Sequence, residues 1–267
     1  MKKELQSQGK REKHIDYDVT SHIRDVNGHE IFKNNRLTSQ FLSNYTGIQM
    51  LAGVRPEDIE DVTERYHAFL GIEFESDTIK KVCLHQADGT PDREIYVISL
   101  IEHKSAVDYD VAMQLFRYMS VIWYDYRMEQ NKKKKDANRR KAFRYPLIIP
   151  FVYYEGKEKW TAGLHLKDRI EFAEEMSEYI PDFQYHVVSV QQYTNEELSK
   201  KGDEMALVML INKIQNPEDW KRFTEEAREF VDTAYAQASD EIKEVIIKVL
   251  WALLKKMNVP NEEAREL

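Results

Sequence analysis

Hydrophobic positions along the chain switch between helical and strand spacing, and the switches mark out its elements. Residues 1–26 are polar and charged with little periodicity, which predicts a loosely ordered arm. Ile31, Phe32, Leu37, Phe41 and Leu42 then suggest short helices, followed by a brief apolar stretch over 48–52. Pro56 at a first helical position opens a pattern of Ile59, Val62, Tyr66 and Phe69 at spacings of three to four, which predicts a helix. Two strand-like runs follow, 78–84 and 95–101, the second densely apolar. Between them, residues 87–92 (Ala-Asp-Gly-Thr-Pro-Asp) are rich in turn formers.

A long helix is predicted over 109–129, where Val111, Leu115, Met119, Ile122, Trp123 and Tyr126 form one stripe. Residues 145–154 read as a buried strand in which Pro146 and Pro150 imply bends. Residues 171–179 read as helical and 183–190 as another strand. After Asn195 no strand pattern remains. Amphipathic helices are expected over 205–214, 220–238 and 241–257, separated by Asn216-Pro217 and Ser239-Asp240. The pattern therefore implies an α/β domain over 27–195 and a helical C-terminal part over 196–267, the latter a candidate surface for self-association or a protein partner.

Composition narrows the function classes. The chain is long enough to bury a substantial core, and no apolar run approaches the ~20 residues that cross a bilayer. The first residues, Met1-Lys2-Lys3-Glu4, lead into polar sequence and not the apolar core of a secretory signal. Cys83 is the single cysteine, so no internal disulfide can form, and its place in a strand pattern reads as a small buried hydrophobe. These features imply a cytoplasmic protein with no membrane partner.

The net charge of −8 opposes binding to phosphates, but its distribution is uneven. Lys132, Lys133, Lys134, Lys135, Arg139, Arg140 and Lys141 cluster in a segment, 127–144, with about seven net positive charges. Such a segment is either a solvated connector between a helix and a strand or a contact for a phosphate backbone.

The candidate chemistry lies on the predicted hairpin. Asp77 precedes its first strand, and the second ends in Glu102-His103-Lys104. A turn centred between Thr90 and Pro91 pairs Asp77 with Lys104 and Ile79 with Glu102. Alternation then puts Glu102 and Lys104 on one face with Asp77, and His103 on the other, whereas a bulge in the turn would move Asp77 across. Neighbouring strands lie roughly 4.8 Å apart, so both carboxylates could reach one cation. Mg²⁺ takes oxygen ligands and keeps several waters, so one or two carboxylates suffice. A lysine beside such an ion suits phosphodiester cleavage. On the long helix, Gln114 and Tyr118 lie four apart and share a face.

An Asp, a hairpin and a Glu-x-Lys at the end of a buried strand resemble the PD-(D/E)XK nuclease superfamily. The likeness is closer to its recombination-promoting nuclease branch, often labelled putative transposase. It rests on Glu75-Ser76-Asp77-Thr78-Ile79, on Ile101-Glu102-His103-Lys104-Ser105 with Val107-Asp108-Tyr109, and on Phe116-Arg117-Tyr118-Met119 with Ile122-Trp123. Further segments are Pro146-Leu147-Ile148-Ile149-Pro150, Tyr154-Glu155-Gly156 and Trp160-Thr161-Ala162, so the likeness covers roughly 28–200. Ser76 stands where the motif's proline would be.

The resemblance implies a restriction-endonuclease-like α/β core, a central mixed sheet flanked by helices. It implies that Asp77, Glu102 and the backbone carbonyl of His103 bind Mg²⁺, with Mn²⁺ or Ca²⁺ also suited, and that Lys104 activates water. Gln-x-x-x-Tyr resembles an auxiliary motif of some members, which adds Gln114 to the site. Glu30 falls where the superfamily often has an acid on its first helix. Arg117, Lys132–Lys135, Arg139 and Arg140 are the candidate DNA contacts. The expected function is a metal-dependent DNA endonuclease linked to recombination or mobile elements. The alternative is a non-catalytic interaction protein that retains the fold.

Overall fold

The computed structural model describes residues 30–70, 77–85, 90–102 and 107–257, with the side chains of 67–70, 91, 100–102 and 256 excepted. The chain divides into two compact units, residues 32–192 and residues 193–267 with 1–31.

In the first unit, α1 (Asn35–Asn44) leads through two 3-10 turns to β1 (Ile59–Asp61) and α2 (Thr63–Leu70). A hairpin of β2 (Thr78–His85) and β3 (Pro91–Glu102) precedes the long helix α3 (Val111–Lys133), and β4 (Ile148–Tyr154) and β5 (His186–Ser189) complete the sheet. Spatial order follows chain order, β1-β2-β3-β4-β5. The first three strands are antiparallel, and β3, β4 and β5 run parallel. This is a mixed, open α/β sheet of the restriction-endonuclease-like kind.

Parallel strands covered on both faces must be apolar on both, and every residue of β4 is buried. On one face Tyr66, Ile79, Tyr96, Ile98, Val152 and Tyr154 pack against Val111, Leu115, Tyr118 and Ile122 of α3. The spacing of those helix positions is the apolar stripe that makes this segment a helix. On the other face Phe32 and Phe41 meet Tyr153 edge-on at 5.4 and 6.0 Å, and Phe41 meets Phe151 at 5.8 Å.

The hairpin register differs from the sequence expectation. Ile79 pairs with Ile98 and Thr78 with Ser99, so residue 77 continues opposite 100 and not 104. The closing pair, His85 with Pro91, follows a bulge at Leu84/His85 and centres the connection near residue 88. Asp-Gly is the stronger turn former, and Pro91 suits the first position of a strand. The register moves by four residues. An even shift leaves positions 77 and 102 in the same relation of parity.

Other elements also depart from the pattern. The segment 59–69 is not one helix. Ile59–Asp61 pairs with β2, and Asp61 Oδ1 accepts from Thr63 N at 3.0 Å, which starts α2 after a break. Residues 171–179 form turns with one 3-10 turn, Ser177–Tyr179. Phe172, Met176 and Tyr179 there are exposed, so a helix would have no apolar face to bury. β4 begins at Ile148, leaving Tyr145 and Leu147 half-exposed, and β5 spans only His186–Ser189. Cys83 is half-buried rather than buried.

The second unit contains α4 (Asn195–Lys201), α5 (Glu204–Asn212), α6 (Pro217–Glu226), α7 (Arg228–Gln237) and α8 (Asp240–Lys256). The helix expected over 220–238 is two helices, broken at Ala227, and nothing in the residue types there explains the break. Helix α5 is buried along eight of its residues, Glu204 to Ile211, so it forms the centre of this unit. Among the described residues, no helix is long and apolar enough to cross a membrane.

One buried charge ties β1, β2 and α1 together. Lys80 is fully buried, and its ammonium donates to Asp61 Oδ2 at 2.8 Å and to Asn35 Oδ1 and Lys33 O, each at 3.3 Å. Burial pushes the Lys80 pKa down against the pull of Asp61. Burial also acts to raise Asp61, but hydrogen bonds from Lys80 and Thr63 outweigh it and hold the carboxyl below its usual range.

Asp61→Ala should therefore strand a buried ammonium and cost roughly 3 kcal/mol in urea unfolding, whereas Lys80→Met with Asp61→Ala should recover much of that loss. Equal losses in the single and double variants would contradict the pairing. Because the folded Asp61 value lies below the unfolded one near ~3.9, its contribution is present above that pH and fades as pH falls through the lowered value.

Candidate active site

The two central strands β3 and β4 end together, Glu102 pairing with Tyr154, and β5 ends beside them with Ser189 next to Tyr154. The carboxyl ends of parallel strands are where open α/β sheets bind ligands. Because β2 runs antiparallel to β3, the residue before its first position reaches this same end. That residue is Asp77.

Asp77 is 3% exposed. A carboxylate taken out of water must be hydrogen-bonded or paired to persist as an ion. Its Oδ2 accepts from Tyr118 Oη at 2.7 Å and from Gln114 Nε2 at 3.0 Å. Both donors come from the first turns of α3, one helical turn apart, and the apolar stripe of that helix fixes their direction toward the sheet. Burial, with Asp77 beside it, pushes the Tyr118 phenol well above its usual pKa. Tyr118 is thus held as a permanent donor and cannot act as a base near neutral pH.

Continuing the register by one step sets residue 77 diagonal to position 102 on the neighbouring strand. Diagonal positions lie about 7–8 Å apart, close enough for two long acidic side chains to share an ion. The side chain of Glu102, and residues His103 and Lys104, lie outside the described residues. Among the described residues, no cluster of three or more His, Cys, Asp or Glu is arranged to hold a metal. The described part of the donor set, a buried carboxylate oriented by two neutral donors, has the hard oxygen chemistry that Mg²⁺, Mn²⁺ or Ca²⁺ takes.

An aromatic group borders this end. Tyr154, in register with Glu102, meets Trp160 edge-on at 5.1 Å. Trp160 Nε1 donates to Tyr185 Oη at 3.2 Å, and Tyr185 donates in turn to Gly163 O at 2.7 Å. A Cβ at Gly156 would lie 2.2 Å from Tyr154 Oη, so only glycine lets the chain turn back over this ring. Tyr154-x-Gly156 was the one available signal of that close approach. Nearby in sequence, Tyr109 Oη and Thr161 Oγ1 share a hydrogen bond at 2.9 Å, joining the segments that follow β3 and β4.

The remaining candidates are dispersed. Arg117 is exposed on α3, one turn beyond Gln114. Lys132 and Lys133 end α3, Lys134 caps it, and Lys135, Arg139 and Arg140 follow, all exposed. The 18 residues from Gln114 to Lys132 span about 27 Å along the helix. The basic run therefore occupies the opposite end of the sheet from Asp77. Glu30 is ion-paired with Lys248 at 2.8 Å.

The chain matches, over residues 29–242, the family described as "Putative transposase, YhgA-like". No curated protein and no solved structure matches it. The matched span takes in both the hairpin and α3, which carry Asp77, Gln114 and Tyr118. The chain belongs to this YhgA-like family, a branch of the PD-(D/E)XK superfamily, and through it to the biology of mobile elements.

Proposed function

We propose that the chain is a metal-dependent DNA endonuclease that hydrolyses phosphodiester bonds in recombination or mobile-element transactions, in the cytoplasm. The observation that carries the reading is the buried carboxylate of Asp77, held by Tyr118 and Gln114 at the carboxyl ends of β3 and β4. A purely structural acid in such a place would be expensive to bury and easily replaced by an apolar residue. An acid that has to present an oxygen to an ion accounts for its retention there.

Asp77 and Glu102, with the backbone carbonyl of His103, would hold Mg²⁺, and Mn²⁺ or Ca²⁺ suits the same oxygens. When bound, the ion supplies Lewis-acid stabilisation of the phosphate and a more acidic water. The protein's own part begins with Tyr118 and Gln114, which fix the rotamer of Asp77 by occupying Oδ2. Lys104 would hold the attacking water in line and offset charge developing on the phosphate oxygens. Arg117 would contact a flanking phosphate. The negative net charge of the chain implies weak non-specific affinity for duplex DNA.

Plasmid nicking should require a divalent ion, stop in EDTA, and fall to background in Asp77→Ala and in Glu102→Gln with the fold intact by circular dichroism. Activity of Glu102→Gln equal to wild type would remove the basis for the proposal. Gln114→Ala and Tyr118→Phe keep the carboxylate but loosen it, so each should lower activity by roughly 10–100-fold and raise the Mg²⁺ concentration needed for half-maximal rate. A fall in rate with no change in metal requirement would instead assign these two residues to packing.

A further inference from the structure

The end of the sheet remote from Asp77 carries a groove of ≈ 1130 Å³, lined among others by Met50, Arg93, Tyr126, Arg144, Tyr145 and Leu147. Tyr126 and Tyr145 line it and belong to a series of four packed rings with Trp123 and Phe143. Trp123 and Tyr145 are 6.3 Å apart, Tyr145 and Phe143 5.1 Å, and Phe143 and Tyr126 6.0 Å. Trp123 Nε1 donates to Pro146 O at 3.0 Å, which fixes the series to the helix. Tyr145 and Leu147, which precede the buried strand β4, are about half exposed, an unusual position for large apolar side chains.

The basic run of 132–141 leads directly into these rings. Counted over 127–144 it carries nine basic and two acidic residues, on a chain whose net charge is −8. Its basic side chains are exposed, and among the described residues Lys133 pairs with Glu129 at 2.7 Å and Arg139 with Asp136 at 3.7 Å. The acids on the groove wall are already engaged, Glu94 by Lys81 at 2.7 Å and Asp92 by Arg93 at 3.2 Å. Arg127 lies 5.0 Å from the ring of Tyr124, a further exposed aromatic on the same helix.

Exposed rings at Tyr145 and Tyr124 beside a run of exposed lysines and arginines are the two halves of single-strand recognition: bases stack on the rings while phosphates follow the charge. A duplex keeps its bases stacked on one another and would leave the rings unfilled. We propose that this groove binds single-stranded nucleic acid at a site separate from the Asp77 end. The inference builds on a nucleic-acid partner but does not require cleavage. With Tyr126 of the groove about 18 Å along α3 from Gln114, a strand held here would keep the substrate on the protein while a distant bond is presented to the acid.

The test is fluorescence anisotropy of the full chain with a labelled oligothymidylate and with a duplex of equal length, in EDTA so that metal chemistry is silent. The single strand should bind at least about tenfold more tightly than the duplex, and Tyr145→Ala should weaken it by about tenfold while Tyr145→Phe retains binding. Arg139→Glu with Arg140→Glu should weaken binding and flatten its salt dependence. Asp77→Ala should bind the oligonucleotide as wild type does. Duplex preference, or unchanged binding in the Tyr145 and arginine variants with the fold intact, would overturn the proposal. Absence of nicking by the wild-type chain, with its oligonucleotide binding intact, would count only against the endonuclease reading.

Discussion

A carboxylate with almost no contact with water constrains the arrangement of everything around it. Asp77 is stable as an ion only if donors reach it, and Tyr118 and Gln114, which do, belong to α3. That helix must therefore cross the sheet at a fixed angle and a fixed height. Its stripe of Val111, Leu115, Met119 and Ile122 supplies this by packing on Ile79, Ile98 and Val152. The hydrophobic core and the polar site are the same contact seen from two sides. Sliding α3 by one residue would remove both donors from the acid and put polar positions against the sheet.

The sheet gives the unit a direction. Strands β3, β4 and β5 share one carboxyl end, and β2 delivers Asp77 to it because it is antiparallel. The length of α3 then separates two chemically different regions, with a buried carboxylate and its neutral donors at its start and the basic and aromatic groove at its finish. A charge pattern that averages to −8 conceals this division, which is why net charge alone gave a poor account of what the molecule could bind.

What the sequence disclosed follows from how local each signal is. The helix carrying Leu115 and Met119, the apolar strand of Ile95 to Ile98, and the four-residue spacing of Gln114 and Tyr118 are local patterns, and the structure contains each of them. The hairpin register was not local. It depended on where the connection between the strands is centred, and the observed register, Ile79 with Ile98, differs from the expected one by four. β1 was missed because three residues, Ile59–Asp61, are too few to show a period, and their partner strand is what makes them a strand. The break at Ala227 and the burial of Lys80 are likewise products of tertiary context. A lysine in a strand pattern looks like a solvent-facing position until Asp61 and Asn35, from other elements, close over it.

The burial of Lys80 bears on the acid three residues away. Odd spacing along a strand puts the two on opposite faces, Asp77 toward α3 and Lys80 toward α1, so they do not pair with each other across the sheet. Between them, the Thr63 hydroxyl accepts from Ile79 N at 3.0 Å and donates to Ile79 O at 3.3 Å, and Val62 N donates to the same carbonyl at 3.0 Å. The start of β2 is therefore held from α2 by Thr63, from β1 by Asp61 and from α1 by Asn35. A buried carboxylate whose orientation depends on hydrogen bonds from another element cannot hang from a fraying strand end. Here the end next to it is fastened on both faces, and the buried lysine, far from being an oddity of the core, is part of what keeps Asp77 in place.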